Sequence, residues 1–351
     1  MATMRSAVLV GPRDIRLEDV ERPVVDDDTV VVKLESLGIC GSNLHWWSGA
    51  PVEQGLMRFP LPGGGGHEYA GVVDEVGRDV TRVKPGDRVV IDFFESTSCG
   101  DCTQCAAGLF GQCERRRFLG LGGFTEYIKT CEKGLYQLPD NVETRLAAVV
   151  EPMACAVGGV RRANLRGGET VVVLGAGVLG LCAAGAARAL GAGKVIISAK
   201  YDAQAALAKR FGADVVVRSG EPDLIERMKA ETGPHGADLV VETVGGHAPT
   251  LSQAIEILRP GCTVVVLGLW DEPVPVDSWG AVLKDARLLF SLTYGLTGKR
   301  HDFELCLDWM ASGQVPAEEL ITHVRPLAEI AEAFELAADK SQGVIKVILN
   351  P

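Results

Sequence analysis

Four cysteines crowd one short stretch, Cys99-x-x-Cys102-x-x-Cys105 followed by Cys113. Four soft thiolates from one loop suit tetrahedral Zn²⁺ in a closed structural site, with no open position for chemistry. An iron–sulfur cluster is the alternative, but a bacterial ferredoxin run would bring its fourth cysteine sooner and before proline. A second set is dispersed: Gly38-Ile39-Cys40-Gly41-Ser42-Asn43-Leu44-His45, then Gly66-His67-Glu68, then Glu151-Pro152. Taken singly, these are a thiol, core histidines and surface carboxylates. Beside a zinc-type loop and the nucleotide motif below, their co-occurrence points to a site.

Gly175-Ala176-Gly177-Val178-Leu179-Gly180 follows an apolar strand-like run and opens a stretch of small residues with helical character. In a dinucleotide turn the first glycine permits the tight bend, and the second lets backbone approach a pyrophosphate. The third lets helix pack on strand, and the helix N-terminus faces the phosphates. A glycine-rich turn that only permits close packing is the plainer alternative. An acidic residue about 20 positions on would hold the adenosine ribose 2′-OH, but that place falls on Ser198-Ala199-Lys200-Tyr201. Ala199 offers no carboxylate to repel a 2′-phosphate, and Lys200 can pair with one. NADP is therefore expected over NAD. In the alternative, Lys200 is a solvated surface residue and Asp202 reads the ribose, although Asp202 is more simply the N-cap of the next helix.

On these motifs the chain resembles the zinc-dependent medium-chain dehydrogenase/reductase family over essentially its whole length, to Gly343-Val344-Ile345-Lys346-Val347. With Glu68, Glu151-Pro152 and no third catalytic cysteine, it is most similar to the sorbitol and threonine dehydrogenase branch. The resemblance implies that Cys40, His67 and Glu68 bind a catalytic zinc, with Glu151 an alternate or water-linked ligand. It also implies a proton relay through Ser42 and His45. One thiolate, one neutral imidazole and one carboxylate balance Zn²⁺ and leave a position for a substrate oxygen, whose alcohol pKa the metal lowers. Adding Glu151 would carry the site to −1, so the two glutamates are expected to exchange rather than act together.

One departure stands out: the family's usual aspartate is Asn43 here. Its carbonyl is expected to accept the imidazole N–H without charge, making His67 a weaker donor. The site should then hold zinc less tightly than an Asn43→Asp variant. Trp46 and Trp47 occupy a segment that borders the substrate cleft in the resembling branch. One of them is expected to line it; the alternative is that both are core. Phe118 and Leu119 are weaker pocket candidates.

These residues need elements to position them. Up to about residue 150, β-branched runs such as Val30–Leu34, Tyr69–Val76 and Asp87–Ile91 alternate with Pro-Gly turns, a β-rich pattern. From about 153 to 293 apolar runs alternate with helical stretches: 170–174, 195–197, 215–217, 239–241, 263–267 and 288–290. Strands buried on both faces of a parallel sheet read that way. Helices are expected at 177–190, 202–211, 301–311 and 329–338, and a last strand at 343–349 returns to the first domain. The fold class is thus α/β: a Rossmann-type doubly wound domain, 153–293, and a β-rich domain, GroES-like by resemblance, from 1–152 and 294–351. Substrate is expected in the cleft between them.

Composition narrows the function class. The net charge of −11 disfavours nucleic acid. Ten cysteines in 351 residues, six of them scattered, are too sparse for a secreted disulfide framework. The N-terminus shows no signal region, and the glycine-broken run from Val171 to Ala187 is no membrane span. The expectation is a reduced, cytoplasmic, homo-oligomeric enzyme (tetramer or dimer) with two zinc ions per chain. It would interconvert a secondary alcohol, a polyol or cyclic alcohol, with its ketone using NADP. The alternatives are an NAD-dependent dehydrogenase of primary alcohols or aldehydes, and a non-enzymatic dinucleotide-binding module.

Overall fold

The computed structural model describes the chain except for residues 1, 51–54, 56 and 121. It divides into two compact units. The first comprises Met1–Glu151, Phe303–Ala311 and Leu320–Pro351; the second comprises Pro152–Asp302 and Ser312–Glu319. The α/β class, a GroES-like unit and a Rossmann-type unit, is as expected.

In the first unit β1 (Thr3–Gly11) and β2 (Asp14–Glu21) form an antiparallel hairpin. β3 (Thr29–Gly38) leads into α1 (Gly41–Ser48), and β4 (Glu68–Val76) and β5 (Arg88–Ile91) follow. β6 (Tyr127–Cys131) and β7 (Leu135–Gln137) complete this run. β3 pairs with both β4 and β6. Its Val30, Val31 and Val32 are fully buried, as β-branched side chains in a central strand should be. The β3–β4 register sets Gly38 opposite Glu68. That pairing brings the residues just after β3 beside those just before β4.

The second unit begins within α2 (Val150–Arg162), at Pro152. Strand and helix then alternate: β8 (Thr170–Leu174), α3 (Val178–Ala189), β9 (Lys194–Ala199), α4 (Asp202–Arg210) and β10 (Val215–Arg218). α5 (Leu224–Thr232), β11 (Ala237–Glu242), α6 (Thr250–Ile257), β12 (Leu258–Val266) and β13 (Arg287–Phe290) follow. These six strands form one parallel sheet, in the order β10-β9-β8-β11-β12-β13. The order reverses between β8 and β11, and in such sheets the crevice at the strand carboxyl ends binds ligands. Val171 to Leu174 are fully buried, as are Leu181 to Ala184 on α3. Small helix side chains let α3 lie close to the sheet.

The chain then returns to the first unit. β14 (Ile321–Pro326), α7 (Ile330–Ala338) and β15 (Lys346–Asn350) close it. β15 pairs with β3, Ile348 opposite Gly38 and Leu349 opposite Leu37. The end of β3 and the start of β4 therefore meet at Gly38, with the middle of β15 on the other side. Among the described residues no helix is long and apolar enough to cross a membrane.

Candidate active site

Cys40 is the N-cap of α1, and Ser42 and His45 follow on the same helix three residues apart, hence on one face. His67 and Glu68 arrive at the start of β4. The structure gathers ligand atoms of Cys40, His67 and Glu68 within 4.8 Å of one another. His67 Nδ1 lies 2.9 Å from the Gly65 carbonyl and must donate to it, leaving the Nε2 lone pair for a metal. The Ser42 hydroxyl stands 3.5 Å from that Nε2. Burial opposes a charged His67 ring, but Cys40, by charge and hydrogen bonding, and then Glu151 and Glu68 outweigh it, raising the ring to about 10. A site this electronegative calls for a cation. A soft sulfur, an imidazole nitrogen and a carboxylate oxygen are a donor set that suits zinc with a position open.

Glu151, the second residue of α2, is buried but stands outside that close set of three, acting on His67 by charge. Glu68 has a partner that the sequence reading missed. Lys346 of β15 is 2% exposed, and its Nζ lies 2.7 and 2.8 Å from the two Glu68 oxygens and 3.0 Å from the Ile39 carbonyl. Gly38 leaves room for that carboxylate, since a Cβ there would sit 1.7 Å from Glu68 Oε2. A lone lysine in the apolar run Val344-Ile345-Lys346-Val347-Ile348 was the available signal, because a buried charge must be paired.

The four-cysteine loop lies between β5 and β6. Its sulfurs are 3.4 Å (Cys102–Cys105), 3.6 Å (Cys113–Cys99) and 3.9 Å (Cys99–Cys105) apart, and all four are free thiols. A tetrahedron with Zn–S bonds of about 2.3 Å has edges of about 3.8 Å. The fit is close. The Glu114 and Cys105 amides lower Cys102 to about 6, whereas burial raises Cys105 to about 11. Ionising all four so close together would call for a bound cation.

In the second unit Gly175 turns the chain at φ 99° after β8, and Gly177 caps α3 with open space where a side chain would stand. A Cβ on Gly180 would lie 1.9 Å from the Gly175 carbonyl, so only glycine lets the helix sit so close to the turn. Val178 and Leu179 open α3, whose N-terminus suits a pyrophosphate. Ala199 is buried at the end of β9, and Lys200 beyond it is exposed. The N-cap of α4 is Tyr201, not Asp202: Gln204 reaches back toward the Lys200 and Tyr201 amides, 3.3 and 3.4 Å away. Asp202 instead pairs with Arg218 at 2.7 Å, and Arg218 also donates to the Lys200 carbonyl at 3.1 Å. Arg218 is a second cation that the sequence reading did not single out, since it lies one strand further on.

Residues 26–140 match the family model "Alcohol dehydrogenase GroES-like domain", and residues 178–312 match "Zinc-binding dehydrogenase". Sorbitol dehydrogenase of Bacillus subtilis is 30% identical, covering 99% of this chain and 97% of its own. The chain belongs to the zinc-dependent medium-chain dehydrogenase family. Among solved structures, a putative zinc-binding dehydrogenase from Sinorhizobium meliloti bound to NADP aligns with TM-score 0.86 at 30% identity, covering 100% of both chains. A short chain alcohol dehydrogenase from Escherichia coli complexed with NADH aligns with TM-score 0.86 at 28% identity, again covering 100% of both. This family member is an oxidoreductase of the alcohol dehydrogenase type, acting on CH–OH groups.

Three expectations need correction. Asn43 does not accept the His67 N–H, because the Gly65 carbonyl does. The Asn43 amide instead accepts the Cys40 N–H at 2.9 Å and donates to Gly65 at 2.8 Å. The charge count that set Glu68 against Glu151 omitted Lys346. With its positive charge included, Cys40, both glutamates and Zn²⁺ sum to zero, so no charge excess forces the glutamates to alternate. The pocket residues also separate. Trp46 meets His67 edge-on with ring centroids 5.9 Å apart, whereas Trp47 is core, packed by Phe334 under the Arg13 guanidinium. Phe118 is 87% exposed, while Leu119 is buried.

Proposed function

We propose that this protein is an NADP-preferring, zinc-dependent dehydrogenase that interconverts a secondary alcohol, a polyol or cyclic alcohol, with its ketone. The observation that carries the reading is the convergence of Cys40, His67 and Glu68 with the Ser42 hydroxyl at the ring edge. Cys40, His67 and Glu68 would hold the catalytic zinc, with Glu151 in reserve. Cys99, Cys102, Cys105 and Cys113 would hold a structural one. Zinc, when bound, supplies Lewis acidity that lets an alcohol lose its proton near neutral pH. NADP⁺, when bound, would supply the hydride acceptor for the carbinol carbon.

The chain's own residues do the rest. Ser42 takes the alcohol proton, and His45 on the same face of α1 carries it onward to solvent. The Gly65 carbonyl fixes the His67 tautomer, and Lys346 orients the Glu68 carboxylate. Trp46 gives the substrate a flat apolar wall beside His67. On the second unit Lys200 and Arg218 suit a 2′-phosphate that no carboxylate at position 199 opposes. Asp202, tied to Arg218, favours NAD instead. A homo-oligomer belongs to the same reading, supported by Phe290, 64% exposed on the edge strand β13.

The test is nicotinamide reduction with polyols, cyclic and simple secondary alcohols, and primary alcohols, each with NADP⁺ and NAD⁺. A secondary-alcohol class should react fastest, with NADP⁺ favoured by about tenfold or more. Preference for primary alcohols would overturn the substrate class, and faster reaction with NAD⁺ would overturn the cofactor.

A further inference from the structure

Asn43 is fully buried, and its two partners leave no freedom in how its amide points. The Cys40 N–H can only donate, so the atom 2.9 Å from it is Oδ1; the Gly65 carbonyl can only accept, so the atom 2.8 Å from it is Nδ2. The same carbonyl takes the His67 Nδ1–H at 2.9 Å. One side chain therefore ties the backbone of the Cys40 ligand to the carbonyl that orients the His67 ligand.

That carbonyl is held in place on several sides. Gly63, Gly64 and Gly65 all lie at positive φ (76°, 57° and 71°), conformations that side chains resist. The Gly63 carbonyl accepts from the Phe124 amide at 2.8 Å, and the Tyr69 hydroxyl donates to the Gly66 carbonyl. A Cβ on Gly65 would stand 2.1 Å from the Trp46 ring. A loop pinned in this way cannot swing Gly65 aside.

We propose that Asn43 is a positioning residue for the metal site, matched to the glycine loop. A backbone carbonyl does the work of a carboxylate behind His67, and the Asn43 amide is what holds that carbonyl there. The inference rests on Cys40, His67 and Glu68 being metal ligands. An aspartate at 43 would keep an acceptor for the Cys40 N–H but would turn its other oxygen on the Gly65 carbonyl, two acceptors in a dry site with no proton between them. Asn43→Asp therefore weakens metal binding at the Cys40 site, the reverse of what simple charge at the histidine suggests.

The experiment titrates zinc-loaded wild type, Asn43→Asp and Asn43→Ala with a chelator, and records the absorption of cobalt-substituted protein. The wild-type Cys40 site must hold zinc for the comparison to apply; if it does not, the zinc reading itself has failed. In Asn43→Asp, zinc from this site should be lost about tenfold or more readily, the usual cost of removing such a support. Its cobalt bands should shift, while the four-cysteine zinc stays. Equal or tighter retention by Asn43→Asp would overturn the proposal. Should that variant fail to fold, Asn43→Ala decides: weakened retention is expected, and wild-type retention with unchanged cobalt bands overturns it.

Discussion

At the scale of residues, the site rests on a buried ion pair. Lys346 and Glu68 are 2% and 0% exposed in their side chains. Removing one partner of such a pair strands a charge, typically at a cost of about 3–5 kcal/mol. Lys346→Met should lower unfolding free energy by about that amount in denaturant titrations. A loss below about 1 kcal/mol, the range of surface pairs, would show that the pair is solvated. His67 leads to a pH prediction. Its ring is raised to about 10 without metal, so below that pH a proton occupies the nitrogen a metal needs. Zinc uptake by stripped protein must displace it, and through neutral pH the ring's share of apparent affinity should rise about tenfold per pH unit. A zinc affinity flat from mildly acidic to mildly alkaline pH would contradict that.

At the scale of elements, the dinucleotide turn permits the most local test. Gly180→Ala sets a methyl 1.9 Å from the Gly175 carbonyl. It should force α3 away from the turn and raise the NADP dissociation constant by about tenfold or more, read by fluorescence titration. Unchanged affinity would mean that the turn does not bind the phosphates. The alternation of apolar strand and small-residue helix made this unit legible, because buried parallel strands carry an unmistakable pattern. The four cysteines were legible for a similar reason: all four ligands share one loop. Local pattern said less about contacts between distant segments. Lys346 meets Glu68 only because β15 lies beside β3, and Arg218 meets Asp202 only because β10 lies beside β9. The Asn43 side chain was misjudged because its neighbour Gly65 owes its place to backbone conformation rather than to side-chain chemistry. Helices α5 and α6 went unread. The first, Leu224–Thr232, carries charges on most of its turns, and the second follows Pro249 with a weak start signal.

At the scale of the whole molecule, the two tasks sit in separate units with separate cores. The first unit holds the four-cysteine cluster and the Cys40–His67–Glu68 cluster around a core that includes Val30, Tyr69, Phe124 and Phe334. The second holds the nucleotide turn above a core that includes Val172, Ile196 and Val240. These two clusters lie in one unit, yet on the proposed reading their chemistry separates: four thiolates would close a coordination sphere, whereas Cys40, His67 and Glu68 would leave a position open. The most direct measurement is the hydride-transfer rate of Cys40→Ser, taken on protein whose zinc content has been counted. Two zinc ions per chain are expected in the wild type and one in the variant. NADP binding should be intact, and the rate should fall about a thousandfold or more, as losing several kcal/mol of Lewis-acid stabilisation requires. A variant that keeps its rate with only the four-cysteine zinc bound would contradict the assignment of chemistry to the Cys40 site.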